Sequence, residues 1–257
     1  MTQTIDKSLV TERFRKRMAN YSQYANVQTE MARQLIGALS AQQGKIFPRT
    51  LEIGCGAGNL TRLIGETMEV ESFFTNDLIA ECKAVVEQVT DLKPDMSSQF
   101  IAGDIESDLS LPGNLNLIIS NATFQWMSHL DSLLIRLKDI LCDKGILAFS
   151  TFGPDNFLEI RELTGTTLIY LSAQSIENLL RRHFRILHQS ESRTTLRFPS
   201  PLDVVQHIRH TGTNALKRER WKPSSLQKFL KSYRELWSVG EEVSLTYHPI
   251  TFIAEKC

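Results

Sequence analysis

The sequence contains no stretch of about 18 uninterrupted apolar residues, so nothing in it reads as a membrane-spanning helix. Its first residues include Asp6, Lys7, Glu12 and Arg13 without an apolar core run, which argues against a signal peptide and gives a cytoplasmic expectation. The four cysteines, Cys55, Cys82, Cys142 and Cys257, show neither C-x-x-C nor metal-ligand spacing. No disulfide framework, zinc site or other metal is therefore expected, and the thiols suit a reducing compartment. Charge of one sign is missing too: 29 Lys plus Arg offset 29 Asp plus Glu, leaving no field to draw nucleic acid or an anionic membrane. No repeat, low-complexity tract or flexible linker divides the 257 residues, of which 42% are apolar, enough for a substantial core. Two phosphate-binding loops are absent as well. The dinucleotide fingerprint, started at Gly54, needs glycine where Asn59 stands, and no P-loop lysine follows Gly58.

What is present is concentrated in residues 49–64, RTLEIGCGAGNLTRLI. A short apolar run with an acidic residue, Glu52, breaks into Gly54, Gly56 and Gly58 at alternate positions. It then passes into a helical pattern with Leu60, Leu63 and Ile64 on one face. The spacing predicts strand, tight loop and helix. Glycines there let the backbone take positive φ and approach a bound molecule closely, so the loop reads as a ligand floor, or failing that as a plain tight turn. Asp77 follows the next apolar-rich stretch, 70–74, and lies nineteen positions beyond Gly58, close to the interval a βαβ unit places between such a loop and a ribose-binding carboxylate.

Residues 8–41 have helical periodicity, first Phe14, Met18, Tyr21 and Ala25, then Val27, Met31, Leu35 and Leu39, which predicts two helices with a break near 21–26. Tyr21 and Tyr24 fit either ordinary packing or a lid. Beyond the glycine loop the pattern predicts a helix at 78–89, a strand at 99–102 and a strand at 116–120. A helix at 130–141 and a strand at 145–152 follow, with Gly145 closing the helix before it. Asp104, in Gly103-Asp104-Ile105-Glu106, fits a turn aspartate or a ligand contact. A helix at 172–182 has Ser172 or Ser175 as cap, and 184–189 reads as an edge strand. Residues 199–240 are mostly helical in pattern and interrupt the last strands. The final strand, 243–255, contains Pro249, which implies a bulge or an exposed flank.

Glu52, Gly54, Gly56 and Gly58 resemble the first motif of the class I S-adenosylmethionine methyltransferases. That resemblance implies an α/β, doubly wound, mostly parallel seven-stranded sheet filling 1–257 as one domain. Residues 1–45 would form an N-terminal helical lid, and 199–240 a helical insertion before the last strand. It also implies a cofactor site built from Glu52, Gly54, Cys55, Gly56 and Gly58 under the methionyl and ribose parts. Asp77, between Asn76 and Leu78, would hold the ribose hydroxyls. Asp104, between Gly103 and Ile105, would lie beside the adenine amino group, and Ser120 and Asn121 complete the set. In such a sheet the loop from Asn121 to Trp126 lies at the carboxyl end of a strand and faces the acceptor.

The whole chain is similar to the malonyl-acyl-carrier-protein O-methyltransferase family, which begins pimeloyl synthesis for biotin. Segments 14–21, 25–28 and 102–106 carry the likeness, with Ser120-Asn121 and Gln125-Trp126, Phe149 to Gly153, and Leu245-Thr246-Tyr247-His248. Region 154–240 matches only loosely. The resemblance implies methyl transfer from S-adenosylmethionine to the free carboxylate of malonyl-acyl-carrier protein, or of malonyl-coenzyme A. A carboxylate ionised at neutral pH needs no general base. Tyr21, Gln125 and Trp126 are the expected walling and orienting residues, while His129 fits a capping position as well as a catalytic one. An acidic carrier would dock on basic residues, for which Arg181, Arg182 and Arg185 form one cluster and Lys217, Arg218, Arg220 and Lys222 another; either reads equally as a solvated helix face. The rival readings are a methyltransferase for a small acid or amine and a non-catalytic cofactor-binding protein. Nucleic-acid methylation is not expected, because Asn121 is followed by Ala122 and Thr123 rather than by paired prolines.

Overall fold

The computed structural model describes residues 5–16, 18–91, 93, 95–165, 168–211 and 223–257. The N-terminal region forms α1 (Lys7–Arg15), α2 (Met18–Tyr24) and α3 (Asn26–Gln43), one helix more than the periodicity predicts. The break at Ala25 falls where expected, and α1 ends separately at Lys16. Strands and helices then alternate: β1 (Arg49–Ile53), α4 (Asn59–Thr67), β2 (Ser72–Asp77), α5 (Cys82–Thr90), β3 (Ser97–Ala102) and β4 (Leu115–Asn121). A 3-10 turn at Phe124–Trp126 leads to α6 (Leu130–Ile140), β5 (Leu141–Phe152), α7 (Leu158–Thr164), α8 (Ala173–Leu180) and β6 (Phe184–Glu191). The remainder is β7 (Thr194–Phe198), α9 (Pro201–His210), α10 (Pro223–Trp237), β8 (Ser238–Val239), β9 (Glu242–Tyr247) and β10 (Pro249–Lys256).

Seven strands form one sheet in the order β3-β2-β1-β4-β5-β10-β6. Pairing is parallel from β3 to β5, and β10 runs antiparallel to both neighbours, as a doubly wound, mostly parallel sheet requires. The strand order reverses between β1 and β4, which opens a crevice above their carboxyl ends. The central strands bury both faces, so alternate side chains feed two cores. Leu117, Ile119, Ile146 and Ala148 pack with Leu35, Leu39, Leu60 and Ile64 from α3 and α4. Ile118, Leu147 and Phe149 face the other way, onto Leu133, Leu137 and Ile176 of α6 and α8. β6 is the sheet edge, and Ser172 caps α8 by accepting from Ser175 N at 3.1 Å, both as the pattern suggests.

Three expectations are corrected. Gly145 lies inside β5 rather than closing α6, at an irregularity in register between Leu115 and Leu117, and a Cβ there would stand 2.9 Å from the Leu115 carbonyl. The final strand is two strands. β9 pairs with β7 and β8 in a separate three-stranded sheet, and the chain crosses at His248 into β10. Pro249 is therefore the first residue of a buried strand opposite Phe152, a position where its missing N–H costs no interior ladder bond. The small sheet itself, absent from the expected pattern, stacks Val243, Leu245 and Tyr247 on Val204 and Ile208 of α9 and Phe229 and Tyr233 of α10.

Candidate active site

A cavity opens at the β1–β4 crevice, and its floor is the glycine loop. Gly54, Gly56 and Gly58 have φ of 74°, 49° and 73°, a region L side chains enter only with strain. At Gly54 the approach is also close: a Cβ would lie 2.1 Å from Thr123 Oγ1. The loop hangs from β2. Gly54 N donates to Asn76 O at 2.8 Å, and Gly56 N and Ile79 N donate to the two Asp77 carboxylate oxygens at 2.8 and 2.9 Å. Asn76 Nδ2 in turn donates to the Ile101 and Gly103 carbonyls, so the floor, β2 and the end of β3 form one bonded unit. Burial raises the Asp77 carboxyl, opposed by the amides it accepts. Glu52, 1% exposed, accepts from Thr61 Oγ1 at 2.7 Å through one oxygen, while Oε1 has no partner among the described residues. Burial pushes its carboxyl up to about 8, the nearby Asp77 charge adding to the effect. The Cys55 thiol is raised by its hydrogen bond with Cys82 and then by burial.

The far edge of the cavity is Gly103, Asp104 and Ile105. Asp104 acts as a turn aspartate, accepting from Glu106 N at 2.9 Å, and also lines the cavity. Lys7 of α1 reaches across to it, with Nζ 2.7 Å from Asp104 Oδ1 and 2.5 Å from Glu106 Oε2. At the other end of α1, Arg15 pairs with Glu81 at 2.6 Å. The helix thus spans the cavity with Val10 and Phe14 facing it. Glu106 also accepts from Ser128 N and His129 N, and His129 takes the capping position before α6.

Tyr21, Asn121, Ala122, Thr123 and Trp126 supply the opposite wall. Asn121 Nδ2 donates to the Gln28 carbonyl at 2.9 Å and its Oδ1 accepts from Ser150, which anchors the wall to α3 and β5. Ser120 donates to Ile53 O beneath the cavity, and Gly58 caps α4 just outside it. Gln125 turns away: Nε2 donates to Ala122 O, Oε1 accepts from Thr151, and the side chain lines a separate small cavity beside Ile169 and Leu171. Of the expected residues, Tyr21, Glu52, Gly54, Cys55, Gly56, Asn76, Asp77, Leu78, Gly103, Asp104, Ile105, Asn121 and Trp126 meet in one cavity, whereas Gly58, Ser120 and Gln125 do not line it.

Behind the wall, Thr246-Tyr247-His248 ties three segments together. Thr246 N and Oγ1 donate to the buried Glu159 carboxylate, and the Tyr247 hydroxyl meets His207 Nε2 at 2.7 Å. His248 Nδ1 accepts from Asp155 N while Nε2 faces Glu191 Oε1 at 2.9 Å, which fixes the Nε2–H tautomer. Burial, and then the His210 charge, lower His207 to about 4. Burial also lifts the Tyr21 and Tyr247 hydroxyls above the ordinary phenol range.

A methyltransferase-domain family model matches residues 21–217. A malonyl-acyl-carrier-protein O-methyltransferase from Chlorobium luteolum is 38% identical over 95% of this chain and 94% of its own length. Another, from Chlorobium phaeovibrioides, is 39% identical over 98% and 97%. The chain belongs to the malonyl-acyl-carrier-protein O-methyltransferase family. Among solved structures, the N-methyltransferase NodS from Bradyrhizobium japonicum, complexed with S-adenosyl-L-homocysteine, superposes with a TM-score of 0.61. It covers 96% of this chain and 98% of its own at 12% identity, a likeness of fold.

No helix among the described residues is long and apolar enough to cross a membrane. Of the basic residues proposed for docking, Arg181 pairs with Glu177, Arg182 with Asp131 and Arg185 with Glu255. Lys217, Arg218, Arg220 and Lys222 lie outside the described residues. Lys7, Gln28 and Thr123 line the cavity but were not among the residues singled out for it from sequence. Gln28 carries a readable signal, a lone amide beside the apolar stripe Val27, Met31 and Leu35; Lys7 and Thr123 act only through tertiary contact.

Proposed function

We propose that this chain transfers a methyl group from S-adenosyl-L-methionine to the free carboxylate of malonyl-acyl-carrier protein, giving the methyl ester that begins pimeloyl assembly for biotin. The observation that carries the reading is a wall without a base. Among the described residues lining the acceptor side, Tyr21 is the one titratable group, and burial holds its proton more tightly than usual. Such a wall suits an acceptor that arrives already ionised, and a malonyl carboxylate does so at neutral pH. A small amine, the rival acceptor class, would arrive protonated and find no partner there to take its proton.

The cavity's set of acceptors fits the cofactor. Buried carboxylates at the ends of β1 and β2 and an acidic residue beyond β3 stand in a row over the glycine loop, and one buried carboxylate oxygen still lacks a donor. Glu52, Asp77 and Asp104 would hold its methionyl, ribose and adenine parts. When bound, S-adenosylmethionine supplies a sulfonium-linked methyl that is electrophilic without further activation. The protein's own task is alignment and drying: Tyr21 and Trp126 exclude water from the carboxylate, and Asn121 fixes the loop that positions it.

The test is methyl transfer from labelled S-adenosylmethionine to malonyl-acyl-carrier protein, beside malonyl-coenzyme A and an unacylated carrier, with the product examined for base-labile ester. Ester on the malonyl carrier supports the reading. Equal turnover of malonyl-coenzyme A would move recognition from the carrier protein to the thioester, and cofactor binding without ester would remove the substrate.

A further inference from the structure

Two residues lining the cavity each carry a buried side-chain oxygen with no hydrogen-bond partner among the described residues: Glu52, through Oε1, at the end of β1 and Gln28, through Oε1, on the first turn of α3. Both side chains are enclosed, Gln28 at 3% and Glu52 at 1% exposure. Buried acceptors are normally paired, so each marks a place where a ligand supplies a donor.

Their position in the fold narrows the donor. Gln28 sits above the junction of β1 and β4, because its carbonyl accepts from Asn121 at the end of β4 and the adjacent Thr29 hydroxyl accepts from Asn59 beside the glycine loop. Ile53 and Ser120 pair directly below. The other acidic residues of the cavity, Asp77 and Asp104, lie at the ends of β2 and β3, on the far side of β1. Each of those already accepts from the protein, Asp77 from two amides and Asp104 from Lys7. The unmet acceptors therefore gather at one end, and one of them belongs to an acidic side chain with no cation paired to it among the described residues. A neutral hydroxyl has one hydrogen to give, and an aromatic amine has two but no charge; a group with several N–H bonds and a positive charge answers both acceptors and the acid that carries one of them.

We propose that Gln28 is a cofactor-binding residue whose side-chain oxygen, together with Glu52 Oε1, receives the ammonium of the methionyl end, an inference that rests on the S-adenosylmethionine reading above. Ligands that keep the adenosine but lack this ammonium leave both oxygens unmet and are discriminated against. The α3 helix thereby contributes to selectivity for the amino-acid-bearing cofactor.

The experiment titrates S-adenosylhomocysteine and methylthioadenosine, which lacks the amino acid, into wild type, Gln28→Leu and Gln28→Glu by calorimetry. Gln28→Leu is expected to lose roughly tenfold in S-adenosylhomocysteine affinity, as for a hydrogen bond to a charged group, with methylthioadenosine unchanged. Gln28→Glu, which keeps an acceptor, is expected to retain the preference. An equal loss for both ligands in Gln28→Leu would assign the side chain to packing and overturn the proposal, as would unchanged S-adenosylhomocysteine affinity. Loss of the preference in Gln28→Glu would overturn it as well, by pointing to a ligand carboxylate instead. If neither ligand binds wild type, the cofactor reading itself fails, which separates that failure from the failure of Gln28 alone.

Discussion

The floor and the roof of the cavity are held by contacts of different reach. In the floor, Gly56 N bonds Asp77 across 21 positions and Thr61 bonds Glu52 across 9. In the roof and wall, Lys7 reaches Asp104 across 97 positions, Asn121 reaches Gln28 across 93, and Thr246 reaches Glu159 across 87. The floor is one local strand–loop–helix unit and its neighbour. The roof exists only once α1 to α3, the small sheet and α9 have closed over it. The difference teaches where each half should fail: floor substitutions ought to remove cofactor binding, and roof substitutions other than at Gln28 and Lys7, which reach the cofactor side, ought to remove acceptor handling or stability while leaving the cofactor bound.

The largest expected effect is Gly54→Ala. Positive φ and a Cβ 2.1 Å from Thr123 Oγ1 leave no room without moving the loop, so S-adenosylhomocysteine binding should fall by about two orders of magnitude. Calorimetry beside far-ultraviolet dichroism would show the loss in a folded protein; intact binding would contradict a rigid floor. In the roof, Glu159→Ala strands donors on Ser244 and Thr246 and should destabilise by about 3 kcal/mol, read from denaturant midpoints. Below the transition its S-adenosylhomocysteine affinity should stay close to wild type, and a parallel collapse of affinity would join the two halves.

A pH series sharpens the floor further. The Glu52 carboxyl lies near 8 in the folded chain against an ordinary 4.5, so the folded state binds the extra proton over that window. Stability from this group is present below about 4.5 and is lost as pH rises toward 8. Relative to Glu52→Gln, wild type should therefore lose thermal stability between pH 5 and about 8, a loss that S-adenosylhomocysteine repairs. A flat difference across that range would remove the raised carboxyl from the account. The smallest effect belongs to Lys7→Met. The Lys7 contacts are partly exposed, so dissociation of S-adenosylhomocysteine should quicken only about threefold and the change should shrink at high salt.

The same division explains what could be read from the residues alone. The glycine loop, Asp77 and the alternating elements through β5 follow from spacing and periodicity over short windows, and the structure has them. The wall was half legible: Tyr21 and Trp126 face the cavity, but Gln125 is drawn into the Ala122 carbonyl and Thr151, a choice between two hydrogen-bonding directions that no spacing encodes. The small sheet escaped because β7 and β9 are short and partners lie far along the chain, so residues 243–255 read as one strand where packing makes two. Lys7 gave no signal at all, since a lysine in a charged helix becomes a clasp only when Asp104 and Glu106 arrive beneath it.

The measurement that bears most directly on the division of labour is a titration of S-adenosylhomocysteine into Tyr21→Phe, which keeps the ring on Phe14 and removes the hydroxyl from the wall. The account predicts an affinity within about twofold of wild type, as expected where no cofactor hydrogen bond is removed, together with a raised KM for malonyl-acyl-carrier protein. A loss of affinity as deep as that of Asp77→Ala would contradict it, because the hydroxyl would then belong to the cofactor and the wall would not be the acceptor's.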